Sequence, residues 1–238
     1  MQINEILEEL KIIIKKQNDE NKNLKEDKII KQNYEELKEN NNIKNIKKQK
    51  ENNNKININS VIMKNEEFDL IKNARESRMN KKVKEIKKLY QATIDDGETI
   101  NFHSKCDNTP NTLTIIKSKG NRRFGGFTSN TWESDLSFKD DKNAFLFSLD
   151  KNQIYSYKND NCSIFCCKGF GPTFGYNEIK NTCTLGIEGN PIIEKKLYTY
   201  ESDSNSYEFY GDENALSEDG KMNYIYAKEY EVFQILLS

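Results

Sequence analysis

The chain contains a single histidine, His103, three residues before Cys106 and four before Asp107. A thiolate nucleophile needs an imidazole base within hydrogen-bond reach, and the base needs a third group to orient it. Three residues apart on a helix, two side chains are neighbours. One reading is therefore a Cys/His hydrolase or a peroxide-handling enzyme, with His103 and Cys106 as catalytic residues. The plainer reading, which we prefer, has Phe102 packing a short helix while His103 caps or crosses a surface.

The other cysteines admit a second chemistry. Cys162, Cys166 and Cys167 could join His103 and Cys106 around zinc, because Cys162-x3-Cys166 meets the ligand spacing. The run Ser163-Ile164-Phe165-Cys166-Cys167 reads as a strand, however, and adjacent strand residues point to opposite faces. Buried cysteines acting as small apolar side chains are the better expectation, so no metal and no cofactor is expected. A sacrificial thiol would need an exposed thiolate beside cations, and no cysteine has such neighbours in sequence. Gly125-Gly126 and Gly169-Phe170-Gly171-Pro172 lack the Lys-Ser/Thr and the spacing of phosphate loops. Strand glycines mark bulges or close backbone approach. Ser129, Ser134 and Ser148 sit in no nucleophile elbow. Asp95, Asp96 and Glu98 read as a solvated turn. Asp212, Glu213, Glu218 and Asp219 read as an acidic surface open to a basic partner.

The elements that would position these residues fall in two unlike halves. Every glycine lies at or after Gly97, and every proline at or after Pro110. Only Tyr34 and Phe68, among the aromatic residues, precede Tyr90. Residues 1–89 carry a net charge of +6 and residues 90–238 one of −7, which restores the overall −1. So near a balance gives no global reason to bind nucleic acid or a membrane surface. No window approaches the ~18 apolar residues of a membrane span. The N-terminus has acids where a signal peptide is basic, and an odd cysteine count fits reduced thiols. A cytoplasmic protein is expected.

Ile3, Ile6, Leu10 and Ile13, widened by Leu7 and Ile14, form the seam of an amphipathic helix or short coiled coil within residues 1–38. Self-association through residues 3–14 is one use of that seam. Residues 39–64, rich in Asn and Lys, read as a linker that buries too little to offset chain entropy. Residues 65–88 read as a helical lead-in, with Phe68, Ile71, Met79, Val83, Ile86 and, just beyond, Tyr90 at helical spacings. Lys81, Lys82, Lys84, Lys87 and Lys88 make one end positive; a solvated face is preferred over a nucleic-acid stripe, since no aromatic readout motif accompanies it.

Beyond Thr112 the period becomes two. Candidate strands are Thr112–Lys117, Arg123–Thr128, Ala144–Leu149, Ile154–Tyr157, Ser163–Cys167, Lys196–Glu201, Ser206–Tyr210 and Tyr224–Leu237. Turn signals separate them and no helices alternate with them, which predicts an antiparallel two-sheet β-sandwich with short flanking helices, mainly β within the α+β class.

Several ordered motifs then stand out: Leu89-Tyr90-Gln91-Ala92-Thr93, Phe102-His103-Ser104-Lys105-Cys106-Asp107, Thr112-Leu113-Thr114-Ile115-Ile116-Lys117-Ser118 and Phe124-Gly125-Gly126-Phe127-Thr128. Trp132, Ala144-Phe145-Leu146-Phe147-Ser148-Leu149, Gly171-Pro172-Thr173-Phe174-Gly175 and Glu229-Tyr230-Glu231-Val232-Phe233 follow. Residues 89–238 resemble the TLDc domain, the module of oxidation-resistance proteins and nuclear receptor coactivator relatives. The resemblance implies two antiparallel sheets, a role in protection from oxidative damage and binding to the peripheral subunits of the vacuolar proton pump (V-ATPase). A module without catalytic activity, recruited to endolysosomal or vacuolar membranes through that partner, is the reading we prefer. The motif residues Gly125, Gly126, Trp132, Phe145, Phe147, Gly171, Pro172, Phe174, Gly175 and Glu231 would serve folding or partner binding. Tyr176-Asn177-Glu178-Ile179-Lys180 departs from the family's Gly/His/Asp stretch, and Leu216-Ser217-Glu218-Asp219-Gly220 is longer than usual. A coiled-coil scaffold with a TLDc cap is the third reading. Trp132, Phe145, Phe147 and Phe174 are expected in the core.

Overall fold

The computed structural model describes residues 3–20, 31–43, 56–158, 162–177, 182–193, 197–199, 206–210, 212, 215–216 and 223–238. The chain divides into two compact units, Met1–Lys55 and Ile56–Ser238. In the first, α1 (Ile3–Glu20) carries the apolar seam and a second helix, α2, spans residues 31–43. Asn41 Nδ2 donates to Asn4 Oδ1 at 3.2 Å, so the two helices touch. Ile3, Ile6, Leu7, Leu10 and Ile14 are only half-buried, and Ile12 and Ile13 are exposed.

The second unit is a pair of six-stranded sheets. The first sheet has the order β1-β12-β2-β3-β5-β6 and the second β11-β10-β9-β8-β7-β4, all pairings antiparallel. The first comprises β1 (Val83–Gln91), β2 (Thr112–Ser118), β3 (Arg123–Thr128), β5 (Phe145–Ser148), β6 (Gln153–Ser156) and β12 (Ala227–Leu237). The second comprises β4 (Ser137–Lys139), β7 (Ile164–Cys166), β8 (Phe170–Asn177), β9 (Thr182–Glu188), β10 (Leu197–Thr199) and β11 (Asn223–Ile225). Helices α3 (Phe68–Met79) and α4 (Thr99–Cys106) flank them.

There are two cores. Tyr90, Ile116, Leu146, Phe174, Leu185 and Tyr230 meet between the sheets, with Phe102 and Trp132. Leu113, Ile115, Phe127, Phe145, Phe147 and Phe233 face the other way, under Ile58, Ile62, Met63, Phe68 and Ile71. The first sheet is therefore buried on both faces. That is why β2 is buried along almost its whole length, with threonines alternating with leucine and isoleucine, and why β5 opens on three apolar residues in a row. Phe145, Phe147, Trp132 and Phe174 are all buried, as expected.

Three expectations need correction. The helix predicted for residues 65–88 stops at Met79. Asn80 takes a left-handed conformation (φ 49°) and closes it, a helix stop that asparagine supplies with little steric cost. Val83–Gln91 then forms an edge strand against β12. Its spacing of Val83, Ile86 and Tyr90 mimicked a helix because the strand has register shifts after Val83 and after Lys88. Lys84 and Lys87 are exposed on this edge, where charge discourages addition of another strand.

The linker drawn over residues 39–64 is also too long. Residues 31–43 are helical, and Ile58, Ile62 and Met63 are buried against the first sheet. Asparagine is not only filler here: Asn65 Oδ1 accepts the Ile58 amide at 2.7 Å. Residues 44–55 lie outside the described residues. Finally, β4, β8 and β9 were not anticipated, and Ser206–Tyr210 contributes only an isolated bridge between Tyr157 and Tyr207. The turns expected at residues 159–161 and 219–220 lie outside the described residues.

Candidate functional site

Helix α4 carries His103 and Cys106, and it sends them to different places. Cys106 is fully buried in the inter-sheet core with Tyr90 and Tyr230. Burial, then the negative charge of Asp107, pushes its thiol far above the ordinary range. His103 Nε2 donates to the carbonyl oxygens of Cys167 (3.0 Å) and Phe170 (2.8 Å), while Nδ1 lies 2.7 Å from Asp107 Oδ1. The ring thus ties α4 to the β7–β8 turn. Ser134 Oγ donates to the other Asp107 oxygen at 2.9 Å. In a serine triad the imidazole lies between hydroxyl and carboxylate. Here the carboxylate lies between the other two, so Ser134, Asp107 and His103 do not form that relay. Sequence reasoning brought His103 and Cys106 together by spacing; the fold directs the histidine to a turn and the thiol to the core.

Three of the remaining thiols, those of Cys162, Cys166 and Cys183, are also buried, whereas Cys167 is only half-buried. Cys162 Sγ donates to Ile164 O at 2.8 Å, and burial raises its pKa to about 11. Cys166 faces Thr131 O, and burial raises it too. Burial carries Cys183 to about 12. Among the described residues no cluster of three His, Cys, Asp or Glu could hold a metal.

Carboxylates are the buried polar groups with most to organise. Glu231, on β12, is fully buried. Its Oε1 lies 2.5 Å from Lys88 Nζ on the neighbouring β1, and its Oε2 accepts the Ser60 hydroxyl. The amide of Val61 donates to Oε1 at 3.2 Å. Ser60 Oγ in turn accepts the amides of Ile62 (3.0 Å) and Met63 (2.9 Å). So one buried charge, matched by one half-buried ammonium, pins residues 60–63 across the sheet. Two residues earlier, Glu229 accepts from Gln91 Nε2 at 3.0 Å, from the Thr93 amide at 3.1 Å and from the Thr93 hydroxyl. Arg123 completes the attachment, reaching Glu67 at 2.8 Å and Asp150 at 2.9 Å. Sequence reasoning named Glu231 as a motif residue and Lys88 only as part of a positive end, and it did not name Ser60.

The glycine motifs are packing devices. A Cβ on Gly125 would lie 1.9 Å from Thr114 O and 2.7 Å from the Phe147 ring, and one on Gly126 would lie 2.6 Å from the Phe174 ring. The pair lets the tip of an aromatic ring from each core approach bare backbone. Gly171 and Pro172 occupy the register shift between β8 and β9, where proline removes no ladder donor that is needed. Gly175 has φ +63°. Trp132 donates its indole hydrogen to Thr112 Oγ1 at 2.8 Å within the core. The acids of the first loop are also structural: Asp95 accepts from the Gln91 amide and from Lys105 Nζ. Asp212 is held by Lys151 at 2.6 Å; Glu213, Glu218 and Asp219 lie outside the described residues, as do residues 178–180 of the divergent Tyr176–Lys180 run.

A family model for the TLDc domain matches residues 56–236. The chain belongs to the TLDc family. The match begins at the first residue of the compact unit, so the TLDc unit includes residues 56–88, which sequence reasoning had left outside it. No curated protein matches the chain. Among the described residues no helix is long and apolar enough to cross a membrane.

With the motif residues packed inside, the exposed apolar side chains are those left for contact. Phe138, on the edge strand β4, is 45% exposed and stacks on Phe165 (centroids 4.9 Å apart) and near Tyr176 (5.4 Å). Leu136 beside it is more exposed still. The sequence marked neither, because a short Ser-Phe-Lys strand carries no periodic signal.

Proposed function

We propose that this TLDc protein is a non-enzymatic interaction module that docks on the peripheral subunits of V-ATPase and contributes to protection against oxidative damage. It would act in the cytoplasm and be recruited to endolysosomal or vacuolar membranes through that partner. The observation that carries the reading is the TLDc match across residues 56–236. The use of His103 and Cys106 in packing supports a role other than catalysis. The test is direct: purified peripheral subunits of the pump should be retained by the immobilised full chain. Cells lacking the protein should regain oxidant resistance with the wild-type chain. Failure of retention under low and physiological salt would remove the pump from the proposal.

We also propose self-association through residues 3–14, because the seam of α1 is left half-buried beside α2. Leu10→Lys should convert a larger species to the monomer in sedimentation, and an unchanged sedimentation coefficient would refute it.

A further inference from the structure

Between α3 and β6 runs an open groove of about 450 Å³. Leu70, Ala74 and Ile154 give it apolar walls, and Arg78, Ser156 and Tyr210 give it polar ones. Arg78 is held in place from three sides. Its Nη1 donates to Ala74 O at 2.8 Å, its Nη2 donates to Ser156 Oγ at 2.7 Å, and its guanidinium lies 4.9 Å from the centre of the Phe145 ring. A guanidinium has five N–H donors, so most of its capacity is unspent. Among the described residues no carboxylate pairs with it. The contrast with Arg123, which grips two carboxylates, is sharp. Burial disfavours the charged form of Arg78, a cost that an incoming carboxylate would offset.

We propose that this groove binds an acidic peptide segment of a protein partner, its glutamate or aspartate carboxylate received by Arg78 and an adjacent aliphatic side chain received by Leu70, Ala74 and Ile154. The fork of donors matches a planar carboxylate. One cation lines the groove, which balances one carboxylate and not the roughly doubled charge of a phosphate. The apolar walls give the flanking residue a place that a free small anion would leave empty. Tyr210, 64% exposed at the rim, offers a further hydroxyl. The inference needs no particular partner, so it stands or falls apart from the pump.

The experiment uses the full chain and a blocked pentapeptide with a central glutamate between two leucines. NMR follows the Arg78 Nε–H signal during titration. The signal should shift on binding. Affinity should fall roughly ten- to a hundredfold, the worth of a charge-assisted hydrogen bond, when the peptide glutamate becomes glutamine or when the protein carries Arg78→Met. Because Arg78 also covers Phe145, a second variant guards against misfolding: Asn73→Glu, at an exposed position lining the groove, should weaken binding while leaving the melting temperature unchanged. The proposal is overturned if the glutamine peptide binds as well as the glutamate peptide. It is equally overturned if millimolar peptide leaves the Arg78 signal in place, if a folded Asn73→Glu protein binds undiminished, or if a phosphoserine peptide binds more tightly than the glutamate one.

Discussion

Removing residues 56–64 should cripple the domain even though the segment forms no strand or helix of its own. Ile58, Ile62 and Met63 are 7%, 6% and 3% exposed, so their loss uncovers most of three aliphatic side chains. Burial of each is worth about 1.5–3 kcal/mol, or roughly 4.5–9 kcal/mol altogether. The deletion also takes away Ser60 and the Val61 amide, leaving the fully buried Glu231 with Lys88 as its remaining partner named here. A buried acceptor left unsatisfied costs a further ~1–3 kcal/mol, more where it is charged. Against a total stability of ~5–15 kcal/mol the expected loss is most or all of the fold. The assay compares fragments 56–238 and 65–238 by thermal and urea denaturation. The longer should melt cooperatively. The shorter should be unfolded or melt at least ten degrees lower, given roughly 2–4 °C per kcal/mol at this size. Equal melting temperatures would refute the reasoning and return the segment to the status of a linker. Ser60→Ala then isolates the hydrogen bonds, with an expected cost of ~1–3 kcal/mol.

Gly126→Ala must displace the Phe174 ring and should cost ~1–3 kcal/mol in urea denaturation; a neutral result would mean the ring moves freely. Phe147→Ala should cost ~3–5 kcal/mol by the same measurement, whereas an effect below about 0.5 kcal/mol would contradict its burial. Buried thiols make stability fall at high pH: Cys162 and Cys183 are protonated in the fold up to about 11 and 12 but ionise near 9 once exposed, so stability should be level below that point and decline between pH 9 and 12. Cys162→Ala and Cys183→Ala together should lessen that decline, read from urea midpoints at pH 7 and 10, and leave the part due to buried Cys106 and Cys166. His103→Ala with Cys106→Ser should leave pump retention and oxidant protection intact if the variant folds; a folded variant that binds its partner but loses protection would revive the enzyme reading.

The sandwich was legible in the sequence wherever strands bear an apolar run or a strict alternation, as in Thr112–Ser118 and Phe145–Ser148. It was illegible where tertiary pairing overrode local pattern. Val83–Gln91 is lysine-rich and reads as helix until β12 is known to lie beside it. Asn80 was the available stop signal, and it went unread among many asparagines. Thr182–Glu188 mixes Thr, Cys and Gly and is a strand because it fills the space between β8 and β10. At the candidate site, spacing found His103, Cys106 and Asp107 but not their directions. A helical i, i+3 relation says that two side chains share a face, and says nothing of the turn that captures one or the core that takes the other.

The buried motif residues have a consequence for where specificity resides. Gly125, Gly126, Trp132, Phe145, Phe147, Phe174 and Glu231 all close a packing or polar gap inside the unit, so substituting them tests folding before it tests recognition. Two accessible groups lie at the borders of the sheets: the aromatic ridge of Phe138 at β4, and the half-buried guanidinium of Arg78 where α3 overhangs β6. Phe138 sits on a three-residue edge strand and Arg78 near the end of α3, and neither is among the buried residues that form the cores. A scaffold made this way keeps its fold while its contacts diverge. Surface variants such as Phe138→Ser and Asn73→Glu should therefore separate the two properties, changing partner affinity with melting temperature held, where motif variants change both together.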